Sequence, residues 1–226
     1  NSMQLTTLYN NINQQGMSAI RNHQEQLDSN LLNPDKDMRR GLTLTASLPA
    51  HVSRNIMFCL QKLAAIEPNQ YFYPPADLHI TIIDLIAASS DFSLSTFEEE
   101  KYKNVVGQII SQIGPIHWQL AGMITSSGAL LVKGYYSAGL STLRNALKKE
   151  LPLHDLLLKE RYPTISGHVT VARYTSSIQE ADRFLKTLEG FKSINFGQFT
   201  TSSLDLVVHD WYNHNSRLIS KMSLRS

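Results

Sequence analysis

A chain of 226 residues is long enough for one large domain or two small lobes with a sizeable core. Hydrophobic residues make up 42% of it and the formal net charge is +2. That excludes a disordered chain and a broad nucleic-acid-coating surface, and leaves a small or single-stranded phosphate ligand open. Cys59 is the only cysteine, so no intrachain disulfide can form and a reducing compartment is expected. No apolar run reaches the ~18 residues of a membrane span and no signal peptide opens the chain. The expected location is the cytoplasm, and the expected state a monomer.

In chain order, residues 3 to about 38 are polar and rich in Asn and Gln. Leu5, Leu8, Ile12, Ile20 and Leu27 are spaced to line a helix face, broken at Asn33-Pro34-Asp35. Residues 1–40 are therefore expected to be a peripheral helical extension. From Gly41, Leu42-Thr43-Leu44-Thr45-Ala46-Ser47-Leu48 alternates as a half-buried strand that ends at Pro49. Val52, Ile56, Cys59, Leu60 and Leu63 recur at helical spacing. A strand follows over about 77–86. Ser95-Thr96-Phe97-Glu98 reads as a capping box opening a helix that stops at Gly114-Pro115, and residues 116–120 form the next strand.

The order then recurs. A strand over 130–135 follows a hairpin at Ser126-Ser127-Gly128, and Leu140, Leu143, Leu147 and Leu151 mark a helix. A strand spans about 167–174, Ser177-Ile178-Gln179-Glu180 is a second capping box, and Gly190 ends its helix. Strand starts are offset by 88 residues and capping serines by 82. Edge strands are expected at about 203–211 and 216–224. The fold expected is α+β, an internally duplicated two-lobed body. Its antiparallel-rich sheets form a central cleft with helices packed outside. One bilobal domain spans 41–226, with lobes of about 41–125 and 126–226 intertwined at the termini.

Each repeat carries an H-x-T string, His79-Ile80-Thr81 and His168-Val169-Thr170, 89 residues apart. Composition alone gives about 0.5 such strings, so the bare pattern is weak and its place in the repeat carries the weight. His and Thr at i and i+2 share a strand face, and a two-fold relation would bring both pairs to one cleft. Histidine moves protons near neutrality, and threonine hydroxyls can donate to phosphate oxygens. By alternation Arg173 turns away from His168 and reaches a phosphate only from the strand end. Thr43 and Thr45 are candidate cleft-lining groups, or ordinary polar strand residues. Tyr73, in Tyr71-Phe72-Tyr73-Pro74-Pro75, could stack a base or pack on the core; Trp211 and Tyr212 carry the same two readings. His209 and His214, with Asp205 and Asp210, match no standard metal-ligand spacing, and their edge position points to solvent. Neither a metal nor a cofactor is expected.

The paired strings resemble the motifs of the two-histidine (2H) phosphoesterase superfamily, typified by the LigT-like RNA cyclic phosphodiesterases. His168-Val169-Thr170-Val171-Ala172-Arg173 is an especially close match to the second motif. Asp84-Leu85-Ile86 stands where many members carry an aromatic and glycine, and Ser166-Gly167 where proline is frequent. The resemblance covers about residues 41–226 in element order. It implies metal-independent cleavage of cyclic or 2′,5′/3′,5′ phosphodiesters in nucleotides or RNA ends. His79 and His168 would be general acid and base, in an order left open, and Thr81 and Thr170 would bind the phosphate. A non-catalytic nucleotide- or RNA-binding module of the same fold is the alternative.

Overall fold

The computed structural model describes residues 2–226. The β-branched and alternating runs become strands β1 (Arg40–Ser47), β2 (Tyr71–Phe72), β3 (His79–Ser89), β4 (Ile116–Thr125), β5 (Ala129–Tyr136), β6 (Val169–Arg173), β7 (Asn195–Thr201), β8 (Ser203–His209) and β9 (Ser216–Ser223). The 3.6-periodic segments become helices α1 (Ser2–Arg21), α2 (Ala50–Ile66), α3 (Thr96–Ile110), α4 (Gly139–Leu153) and α5 (Ala181–Glu189). The strands form one antiparallel sheet in the order β7-β4-β5-β6-β3-β1-β8-β9, with β2 paired to β6. The two H-x-T strands are therefore neighbours at its centre. β4 joins β5, whereas β8 and β9 join β1, so each side of the sheet contains strands from the other half of the sequence.

The apolar side of the sheet is dry. Ile80, Ile82 and Leu85 of β3 and Val169 and Val171 of β6 are fully buried, in one cluster with Ile56 and Leu63 of α2, Leu143 and Leu147 of α4 and Phe184 of α5. Burying a side chain of this size is worth about 1.5–3 kcal/mol, so this layer fixes the central strand pair firmly. The first capping box forms as expected: Glu98 N donates to Ser95 Oγ at 3.1 Å and Ser95 N to Glu98 Oε1 at 3.4 Å. The second does not. α5 begins at Ala181, and the buried Glu67 beyond α2 accepts instead from Gln179 N at 3.0 Å and Glu180 N at 2.9 Å. A carboxylate from a neighbouring element has displaced the local hydroxyl.

The N-terminal extension is not peripheral. α1 buries Leu5, Tyr9 and Ile20, and Asn13 Oδ1 accepts from Thr125 N at 3.1 Å. A Cβ at Gly16 would collide with the Thr125 carbonyl, so this close approach needs glycine. Tyr9 reaches the residue before His168: its hydroxyl donates to Gly134 O at 2.7 Å and accepts from Gly167 N at 3.0 Å. Leu27, expected on the helix face, lies beyond α1 and is exposed. Among the described residues no helix is long and apolar enough to cross a membrane.

Candidate active site

β3 and β6 meet through the pair Ile80–Val169. Antiparallel register then sets His79 opposite Thr170 and Thr81 opposite His168. Side chains directly opposite stand about 4.5–5.5 Å apart at Cβ, and diagonal ones about 7–8 Å. The imidazoles thus occupy one diagonal and the hydroxyls the other. Equivalent positions meet diagonally rather than face to face because the pseudo-two-fold axis runs between Ile80 and Val169. All four side chains line one cleft.

Immediately after each threonine the strand bulges. Opposite β1, Leu44 pairs with Ile83 and Thr45 with Thr81, leaving Ile82 extra. Opposite β5, Leu130 pairs with Ala172 and Leu131 with Thr170, leaving Val171 extra. Ile82 and Ile83 are consecutive buried residues, as are Val171 and Ala172. One extra residue inverts the parity of everything beyond it. Asp84 and Arg173, each five residues past its histidine, therefore return to the cleft. This corrects the alternation argument for Arg173. Its guanidinium lies in the cleft, where Nε donates to Tyr73 Oη at 2.9 Å.

The two imidazoles are held differently. His79 Nδ1 lies 2.9 Å from Asp77 O. A carbonyl only accepts, so Nδ1 carries the proton and Nε2 keeps its lone pair. His168 Nδ1 lies 2.7 Å from Ser166 Oγ, a hydroxyl that can donate or accept. Burial pushes both rings down to about 4, helped at His79 by His209 and at His168 by Arg173 and Arg144. Burial also lowers His209.

These depressed values set a stability signature. Below the ordinary value of 6.5 the unfolded chain binds protons that the folded rings refuse, so stability falls as pH drops from 6.5 towards about 4. Denaturant midpoints should drop between pH 7 and pH 5, before the carboxylates protonate. In a His79→Asn/His168→Asn double variant that drop should shrink. An equal drop in both proteins would mean that other groups carry it.

No family model and no curated protein matches the chain. Solved structures do. The protein TT0787 of Thermus thermophilus superposes with a TM-score of 0.57 at 17% identity, over 84% of this chain and 99% of that one. E. coli LigT, complexed with 3′-AMP, superposes at 0.58 and 16% identity, over 83% of this chain and 99% of its own. A third structure, described only as a phosphoesterase, gives 0.59 at 15% identity, over 83% and 99%. The chain has the LigT fold.

Within this LigT fold, β9 is an edge as expected, whereas β8 contributes a residue that sequence reasoning misplaced. β8 lies between β1 and β9, so it is not an edge, and His209 is buried with only 7% of its surface exposed. Its Nε2 lies 2.9 Å from Thr43 Oγ1 and its Nδ1 2.9 Å from Asn213 Oδ1. Thr43 donates to Asp84 Oδ1 at 2.9 Å. The His209 ring packs edge-on against His79 at 6.0 Å. Thr43 is thus a buried link between Asp84 and His209 rather than a cleft-lining group. Thr45 is buried in register with Thr81 and does not line the cleft either. Tyr73 is buried against Tyr71 at 5.3 Å and props Arg173, so its ring face is closed to a base.

Arg144 of α4 ties the two motifs together. Its Nε donates to Ile82 O at 2.7 Å, and its Nη2 to Ser166 O at 2.7 Å and Thr81 O at 3.3 Å. One guanidinium thereby grips the β3 bulge and the turn that precedes His168. Among the described residues no carboxylate pairs with it and Nη1 has no hydrogen-bond partner, so a desolvated positive charge sits behind the cleft. Arg144 shares the apolar face of α4 with Leu140, Leu143, Leu147 and Leu151, so helical periodicity places it inward, but its charge gives no sign in the sequence of the three carbonyls that receive it.

Proposed function

We propose that this protein is a phosphodiesterase that opens cyclic phosphates, or cuts 2′,5′ or 3′,5′ linkages, in nucleotides or RNA ends, with one proton transferred to His79 and one from His168. The observation that carries this reading is the crossed arrangement of two imidazoles and two hydroxyls about the Ile80–Val169 pair. A phosphate at the crossing point is flanked on one diagonal by the proton-transfer groups and on the other by Thr81 and Thr170. Those hydroxyls donate to the non-bridging oxygens, where charge accumulates in the transition state.

His79 is the general base. The Asp77 carbonyl holds its proton on Nδ1, so Nε2 is bare and accepts a proton from water or a 2′-hydroxyl. His168 is the general acid. The anionic substrate offsets Arg173 and Arg144, whose charges disfavour its imidazolium, and Ser166 Oγ can accept from Nδ1–H of the cation and donate to Nδ1 of the Nε2–H tautomer. The proton leaves His168 for the departing ribose oxygen while His79 holds the one taken from the nucleophile. Exchange with solvent restores both rings: His79 gives its proton to water and His168 takes one up. E. coli LigT binds 3′-AMP and ATP, which supports a nucleotide as the substrate class here.

The test is a panel of 2′,3′-cyclic nucleotides and 2′,5′-linked oligonucleotides assayed with a chelator present. Turnover of at least one class is expected. Thermal stabilisation by these ligands without product would select the non-catalytic binding module of the same fold. Neither turnover nor stabilisation would overturn the assignment altogether.

A further inference from the structure

Beyond the reacting pair, the cleft continues to a platform that the single-phosphate reaction does not use. Asp210 fixes the β8–β9 turn by accepting from Tyr212 N, His214 N, Asn215 N and Asn215 Nδ2 at 3.0–3.1 Å. That turn presents Trp211 to the cleft. Three guanidinium groups converge on the indole. Arg161 lies 4.2 Å from the ring centroid, Arg39 4.7 Å and Arg173 6.0 Å.

Their availability differs. Arg39 is consumed by a bidentate pair with Asp37, at 2.9 and 2.8 Å. Arg173 commits only Nε, to Tyr73 Oη, and Arg161 makes no hydrogen bond or ion pair among the described residues. Among the described residues neither carboxylate of this cleft pairs with Arg161 or Arg173: Asp84 Oδ1 accepts from Thr43, and both oxygens of Asp210 are taken by its own turn. Stacking on an indole leaves the edge of a guanidinium free, and that edge is a fork matched to two oxygens of one phosphate. Arg173 stands between the two regions: its charge is felt at both His79 and His168, and its guanidinium reaches the Trp211 platform.

We propose that Arg161 and Arg173, held on Trp211, form a second anion subsite that binds a further phosphoryl group of the substrate. The substrate class is then a nucleotide with a second phosphate beyond the scissile one, such as a 5′-phosphorylated end or an oligonucleotide, rather than a bare cyclic mononucleotide. This inference rests on the His79–His168 pair being the site of the scissile phosphate.

The experiment compares adenosine 3′-monophosphate with adenosine 3′,5′-bisphosphate by calorimetry at fixed ionic strength. The probes differ by one phosphate, and binding is read without turnover. The wild-type protein should bind the bisphosphate about tenfold more tightly or better, the range of one charge-assisted contact pair. In Arg161→Gln that ratio should collapse towards one. Arg161 is exposed, so the variant should fold. Arg183→Gln, which removes the same charge from the exposed face of α5, should keep the wild-type ratio. Equal affinities in the wild type, or an unchanged ratio in Arg161→Gln, would overturn the subsite. Failure of the monophosphate to bind at all would instead count against the His79–His168 reading, which separates the two failures.

Discussion

Replacing either His79 or His168 by alanine is expected to cut turnover about 10²-fold or more, because each removes one of the two proton transfers. The losses should not multiply. With one ring gone the remaining transfer is no longer concerted with its partner, so the double variant should sit close to the worse single variant. Fold should survive, because the imidazoles line a cleft and their removal deletes groups that resist protonation rather than packing. The pH dependence should separate the roles. His79→Ala should lose the acidic limb of the kcat/KM profile, where protonation of the base shuts the reaction down. His168→Ala should lose the alkaline limb, where the acid is depleted. Wild-type rates in both single variants would sink the mechanism; exchanged limbs would keep it and reverse the roles.

Replacing Arg144 by methionine is expected to destabilise the protein by about 2–3 kcal/mol and to lower kcat more than tenfold. Methionine fills much of the volume, but Ile82 O, Thr81 O and Ser166 O lose their donor. An unsatisfied buried carbonyl costs about 1–3 kcal/mol, and relief from burying an unpaired charge offsets part of the sum. Activity should fall even though Arg144 does not line the cleft, because the bulge that aims Thr81 and the turn that aims His168 lose their common anchor. Arg144→Lys keeps the charge but cannot span three carbonyls with one ammonium, so it should fall between wild type and methionine in kcat. A methionine variant with wild-type stability and kcat would show that strand packing alone holds the two motifs.

The grouping of His79, Thr81, His168 and Thr170 is legible in the sequence. Each string shares a strand face by the two-residue period, and the repeat gives a reason for the strings to meet. The capping box at Ser95 is equally readable, since all its partners lie within one helical turn. The β3 and β6 bulges are not readable. Ile82-Ile83 and Val171-Ala172 are ordinary apolar dipeptides, and nothing local says that one residue of each will be squeezed out of the ladder. Parity just beyond those points, at Asp84 and Arg173, is therefore inverted. That is why simple alternation turns Arg173 away from the cleft, and why Asp84 shows in the sequence only as a departure from the usual motif. His209 and the Ser177 box fail for a related reason. Whether a strand is an edge, or whether Glu67 will reach Gln179, depends on contacts more than a hundred residues apart in sequence.

The sequence by itself determined the pair of histidines proposed to react, the α+β repeat and the apolar faces, because these follow from periodicities of 2 and 3.6 that each segment carries alone. Only the tertiary structure decided what surrounds the pair. Arg173 and Asp84 enter through bulges, His209 and Thr43 through the insertion of β8 beside β1, Tyr9 through the docking of α1, and Arg144 through α4. Each of these placements balances long-range burial against local preference. Such a balance is struck by the packed whole and is not written in any one segment.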